Sequence, residues 1–288
     1  MKTKLLLLSL SMWLTLTACT KPVGYGDTEI HISYTANGTP LVTDTLCYVN
    51  EAGNHFLVTE IQWFISKIAL VSEQGDEYEL GKVFYIDTNI PESQTIAVAS
   101  VPCQRYISMR FTFGLDQEDN VTGLFPNPPE NNMFWPEPLG GGYHYMKLNG
   151  KYLDENDNLA PMNIHLGIGQ NEDQTVFYQN YFTVELPMDL NLEENTVNVI
   201  CLDMNIDNWF RSPHTYDITA FGSAIMQNQE AQQTLKENGH DVFSIKTNDD
   251  MKSILKTTTE LLRKAAPKPH FMTWENIKNT LSNIKDNL

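Results

Sequence analysis

Three patterns of apolar positions follow one another along the chain. The first is an unbroken run, Leu5 to Leu16, interrupted only by Ser9, Ser11 and Thr15. At about a dozen residues it is shorter than the roughly 18 that a membrane-spanning helix needs, and it follows the positive start of Lys2 and Lys4. The second pattern is alternation, from Glu29 to about Asn205. Ile30, Ile32 and Tyr34 alternate with polar residues, as do Ile107, Met109, Phe111 and Phe113. A period of two predicts half-buried strands. Further strands are predicted at 56–71, 82–86, 95–101, 143–152, 163–168, 176–186 and 196–205. Turn residues such as Asn37-Gly38 stand between them. The third pattern, past Trp209, is helical. Ser223 to Glu237 lacks Gly and Pro and stops at Asn238-Gly239. Met251, Ile254, Leu255, Leu261 and Leu262 share one helical face. Trp274, Ile277, Leu281, Ile284 and Leu288 share another.

Many short strands with turn residues between them predict an all-β fold, a β-sandwich of jelly-roll-like type, with a C-terminal helical extension. The expected divisions are a signal peptide at 1–18, a lipidated linker at 19–28, the sandwich at 29–205, and helices at 206–288 packed on or beside it. One segment breaks the alternation. Phe125 to Gly142 carries Pro126, Pro128, Pro129, Pro136, Pro138 and three consecutive glycines, which predicts a long ordered loop or a lid.

Leu16-Thr17-Ala18-Cys19 closes the first apolar run. This resembles a lipobox, in which the cysteine takes a diacylglycerol and becomes the new N-terminus. The expectation is a bacterial lipoprotein anchored at Cys19, in the cell envelope and at the outer membrane. The linker, with Pro22, Gly24 and Gly26, suits a tether. The formal charge of −17 repels nucleic acid and anionic lipid heads. Cys47, Cys103 and Cys201 form no CxxC pair; an oxidising compartment permits one disulfide, and their spacing leaves the pairing open.

Candidate chemistry gathers in two predicted strands. His144 and Met146 are two apart, so one strand would present both on one face. His165 lies on the next strand, and a hairpin centred near Glu155 would bring it to His144, while a slip of one residue would separate them. Imidazole and thioether suit copper, and Met133 and Met162 lie nearby in the chain. His31, His55, His214, His240 and His270 have no second ligand at a fixed spacing and read as surface residues. Asp154, Asn156 and Asn158 alternate as in a calcium loop. Leu159 and His165 occupy the positions where such a loop needs Gly and Glu, so calcium is not expected. The chain has no GxSxG elbow, HExxH or GxxxxGK[ST], and an enzyme is not expected.

Four stretches together resemble one family. They are Ile65-Ser66-Lys67-Ile68-Ala69-Leu70; Gly114-Leu115-Asp116 with Asn120-Val121-Thr122-Gly123; Met133-Phe134-Trp135 leading to Gly142-Tyr143-His144-Tyr145-Met146-Lys147-Leu148-Asn149-Gly150; and Ile164-His165-Leu166-Gly167. Their order and spacing resemble the MbnP-like copper-binding domain. The resemblance implies a copper protein outside the cytoplasm, serving storage, sensing or delivery; the metal ligands expected here, His144, His165 and Met146, come from the residues themselves and not from the family's ligand set. In some members a tryptophan near the metal is oxidised to kynurenine by a dihaem peroxidase-like partner. Trp135 matches the motif tryptophan. Pro136-Glu137-Pro138-Leu139 departs from the short loop and second tryptophan usual there, and Tyr34 stands where many relatives have a histidine. The alternative is an envelope binding module, recognising a glycan, peptide or protein through the loop around Phe134 and Trp135.

Overall fold

A computed structural model of the chain describes residues 23–171 and 173–247. Cys19, the apolar run before it and the two apolar faces predicted beyond residue 248 lie outside the described residues. Among the described residues no helix is long and apolar enough to cross a membrane.

The alternating N-terminal segment is β1 (Tyr25–Ala36), with Ile30, Ile32, Tyr34 and Ala36 buried. Asn37 and Gly38 both adopt positive φ, 51° and 70°, as a two-residue hairpin turn requires, and lead into β2 (Thr39–Pro40). After β3 (Tyr48–Val49) comes β4 (His55–Ser72), one continuous strand of 18 residues. Then follow β5 (Glu77–Asp87), β6 (Thr95–Pro102) and β7 (Arg105–Phe113). A hairpin pairs β8 (Met146–Leu153) with β9 (Leu159–Leu166). The short strands β10 (Gly169–Gln170) and β11 (Phe177–Tyr178) pair with each other. Next are β12 (Phe182–Asn191), β13 (Val197–Asn205), α1 (Ile218–Phe221), α2 (Gln229–Asn238) and β14 (Phe243–Lys246).

The strands form an all-β sandwich. One sheet runs β14-β13-β1, with β2 and β6 also on β1; β1 and β13 are parallel. The other runs β12-β7-β4-β8-β9, with β3 and β5 also on β4. Strand β4 serves this sheet twice. Its residues 56–63 pair with β8, and 65–72 pair with β7. Being hydrogen-bonded on both edges, it reads as a nearly continuous apolar run rather than a clean alternation. Between the sheets lies an aromatic core. The Trp63 ring stacks on Phe113 at 6.0 Å and meets Phe243 at 5.4 Å. Its Nε1–H donates to the Tyr34 hydroxyl across the sandwich at 3.0 Å, so the buried indole is satisfied.

Three details differ from the sequence reading. Ile107 is 40% exposed, while Met109, Phe111 and Phe113 are buried. The pairing with β4 shifts between Val71 and Ser72, and this bulge at Ile107 turns Tyr106 inward instead. The predicted helix at 223–237 starts only at Gln229, where Asn228 caps it by accepting from Ala231 N–H; residues 223–227 are not helical. Beyond residue 205, β14 pairs with β13, so the segment up to 246 is built into the sandwich. Cys47, Cys103 and Cys201 are all free thiols.

The core argument gives a test. Trp63→Ala should cost about 3–5 kcal/mol in urea unfolding, the range for emptying a large buried aromatic. Tyr34→Phe should cost about 1 kcal/mol, the loss of one hydrogen bond. A Trp63→Ala cost no larger than that of Tyr34→Phe would show that the indole is not the keystone of the two sheets.

Candidate metal centre: two histidines and a tryptophan

The loop 125–142 is folded and carries two short 3-10 turns, at Glu130–Met133 and Glu137–Leu139. Phe134 bridges to Tyr143, and Trp135 N–H donates to Gly142 O at 2.9 Å. The family-like stretches hold this loop from outside. Ser66 donates to Gly114 O at 2.7 Å, and the Lys67 ammonium bonds Asp116. Farther along, Asn120 Oδ1 accepts from Tyr143 N–H and Thr122 Oγ1 accepts from Gly142 N–H, both at 2.8 Å. Gly142 has φ of 78°, and a Cβ there would lie 2.3 Å from Asn120 Oδ1, so only glycine fits this approach.

His144, two residues further on, is 5% exposed. Both its backbone N–H (2.6 Å) and its Nδ1 (2.9 Å) bond the carbonyl oxygen of Met133. A carbonyl only accepts, so Nδ1 carries the proton and Nε2 carries a lone pair. That Nε2 is buried and has no hydrogen-bond partner.

His165 is set by the β8–β9 hairpin. The turn lies at 154–158, where Asp154 Oδ1 accepts from Asn156 and Asn158 N–H, and the register places His165 opposite Lys147. His165 Nε2 bonds Asn149 Oδ1 at 2.9 Å, and Asn149 Nδ2 bonds Glu60 at 3.3 Å. The carboxylate can only accept, which fixes the amide orientation. His165 Nε2 is then the protonated nitrogen, and Nδ1 holds the lone pair. The two rings meet at 5.0 Å between centroids and 85° between planes. Two imidazoles bound at about 2 Å to one tetrahedral ion would have centroids about 5 Å apart. An oriented ring with its second nitrogen held by a carbonyl or a carboxylate-linked amide is how metal-binding histidines are built.

Trp135 joins the pair from the other side. Its ring lies 4.7 Å from that of His144, and its Nε1–H donates to Leu139 O at 3.0 Å. A Cβ at Gly167 would lie 2.6 Å from Trp135 Cε3, so the glycine of the His165-Leu166-Gly167 stretch makes room for the indole. Trp135 is wholly buried; of the aromatic pair on this loop, only Phe134 is exposed. A solvent-facing recognition role for Trp135 itself is thereby excluded, while Phe134 of the same loop faces solvent.

The expectation that His144 and Met146 share a face is also overturned. The glycine turn delays β8, which begins at Met146, so His144 lies outside the regular strand. Met146 pairs with Trp63 and Leu166 on the core side, while His165 and Lys147 occupy the opposite side. Met162 alternates with His165 in the same way and is also buried in the core. Met146 therefore cannot join the two imidazoles. Among the described residues no three His, Cys, Asp or Glu side chains gather to hold a metal. The remaining described histidines stand apart: His31 bonds Glu29, His214 bonds Glu237, and His55 and His240 are exposed.

Burial pushes the His144 imidazole down to about 3 and that of His165 down to about 4, and the Lys147 ammonium beside them adds to both shifts. Both rings are thus neutral at pH 7, the form a metal needs.

Fold and site together define an all-β sandwich with a paired-histidine centre at the open end of a hairpin. A family model described as MbnP matches residues 25–231, and the chain belongs to the MbnP family. Among solved structures it is similar to MbnP from Methylosinus trichosporium, at 12% identity and a TM-score of 0.47, over 67% of this chain and 80% of that one. No curated protein matches it.

The depressed histidines set a pH dependence. An unfolded imidazole titrates near 6.5, so below that pH the unfolded chain binds more protons than the folded one. Stability from this pair is complete above about pH 6.5 and is lost as pH falls toward about 4 and then about 3. Urea unfolding across this range should show the decline, and His144→Asn, which keeps a donor for Met133 O, should flatten it. An unchanged slope in the variant would contradict the burial of a neutral His144.

Proposed function

We propose that this protein is a membrane-anchored, extracytoplasmic copper-binding protein serving storage, sensing or delivery of the ion, and not its chemical turnover. The observation that carries the reading is the buried, unpartnered lone pair of His144 Nε2 beside the His165 ring. A buried polar atom without a partner costs stability, about 1–3 kcal/mol, unless a ligand completes it. Two neutral imidazoles with their far nitrogens held suit a late first-row metal better than a hard cation such as calcium. Membership of the MbnP family supports copper as that metal.

Two further parts of the reading rest on the sequence. Anchoring would come from a diacylglycerol on Cys19, which follows Leu16-Thr17-Ala18. By the resemblance, Trp135, which matches the motif tryptophan, would be the residue converted to kynurenine, and its packing against the His144 ring supports that reading; a dihaem peroxidase-like partner would be the oxidant. Peptide mass spectrometry on protein from its native host tests this, through the loss of one carbon and gain of one oxygen at Trp135.

Copper titration of metal-free protein is the deciding experiment. The intact chain should bind one equivalent, and His144→Ala or His165→Ala should weaken binding by about 100-fold or more, since each removes a directly bonded nitrogen. Stoichiometric binding that survives both substitutions would overturn the assignment. In a bacterial host Cys19→Ser should abolish fatty-acid labelling and release the protein from membranes; retained labelling would contradict the anchor.

A further inference from the structure

The non-helical segment before α2 runs beside β9. Asn163 and Ala224 form a parallel bridge, and Asn163 N–H donates to Ser223 O at 3.2 Å. Two residues beyond Asn163 on β9 is His165, and Met226 lies in the turn that follows Ala224, where Asn228 N–H donates to Ile225 O at 2.9 Å. Both line one open cleft of about 380 Å³, together with Pro136 and Leu139 of the Trp135 loop.

Met226 is held there by α2. Gln232, wholly buried, donates its Nε2–H to Met226 O at 3.0 Å and accepts at Oε1 from Gly167 N–H at 3.0 Å. One side chain therefore ties the Met226 backbone to the strand end just past His165. Met226 is half-buried.

We propose that Met226 supplies a thioether as third ligand to the metal held by His144 and His165, and thereby sets the site for monovalent, reduced copper. The inference rests on the two-histidine reading above and adds its third donor. The donor set contains no carboxylate or thiolate, so it brings no negative charge to the ion. Thioether sulfur is soft and favours Cu(I) over Cu(II) and zinc. The Lys147 ammonium lies directly opposite His165 on the same face of the hairpin, and it repels a divalent ion more than a monovalent one.

The test compares intact protein with Met226→Leu and His144→Ala, each loaded separately with Cu(I) under a competing chelator, with Cu(II) and with Zn(II). Met226→Leu conserves volume and removes only sulfur; its thermal melting should match that of the intact chain. It should weaken Cu(I) by about tenfold or more and leave Cu(II) and zinc within about threefold. X-ray absorption of the Cu(I) form should show one sulfur bonded to copper, absent in Met226→Leu. No sulfur signal in the intact protein, with Cu(I) affinity unchanged in Met226→Leu but lost in His144→Ala, would overturn the Met226 assignment and leave the histidine pair standing. Unchanged affinity in His144→Ala would overturn both.

Discussion

The carbonyl oxygen of Met133 is the constraint on which the centre depends. It accepts two hydrogen bonds from one residue, the backbone and ring N–H of His144. The first bond fixes where the chain re-enters the sheet, and the second fixes which imidazole nitrogen keeps a lone pair. Nothing in a strand alone would do both, because a strand directs a side chain without choosing its tautomer. The folded loop 125–142 carries that carbonyl. Trp135 packed against Gly167, and Gly142 packed against Asn120, hold the loop closed around it. Stretches far apart in sequence converge here: Asn120 and Thr122 hold the backbone at residues 142 and 143, while the rings of Trp135 and His165 meet that of His144.

The sandwich contributes rigidity and dryness. Strand β4 is bonded along both edges, and the aromatic core behind it anchors β8 through the Met146–Trp63 pairing. On the opposite side of the same strands, His165, Lys147, Asn149 and Glu60 form a polar row. One face of the hairpin therefore stabilises the fold while the other carries chemistry. Burial of the imidazoles costs stability at low pH, because the unfolded chain takes up protons that the folded rings refuse. The gain is a pair of neutral donors over the whole range above about pH 4.

Much of this was legible in the residues. Alternation marks the strands, and the turn between Leu153 and Leu159 allows His165 to approach His144, but only the observed pairing of β8 with β9 fixes the register that brings the two rings together. What failed did so for local reasons. Met146 was expected beside His144, but three glycines with positive φ delay the strand and put the two residues on different sides. Trp135 looked like a loop aromatic, and only the bare Cα of Gly167 reveals the slot that buries it. Met226 sat in what read as a helix. Asn228, a capping residue three positions before Ala231, is the signal that the helix begins later, which leaves Ala224 to bridge to Asn163 of β9.

The most direct measurement is the protonation pattern of the two rings in metal-free protein, read by nitrogen-15 NMR of the imidazoles at neutral pH. The account requires opposite tautomers: His144 protonated at Nδ1 and His165 at Nε2, each with the other nitrogen bare. Both rings protonated at the same position, or either one carrying two protons at pH 7, would contradict it.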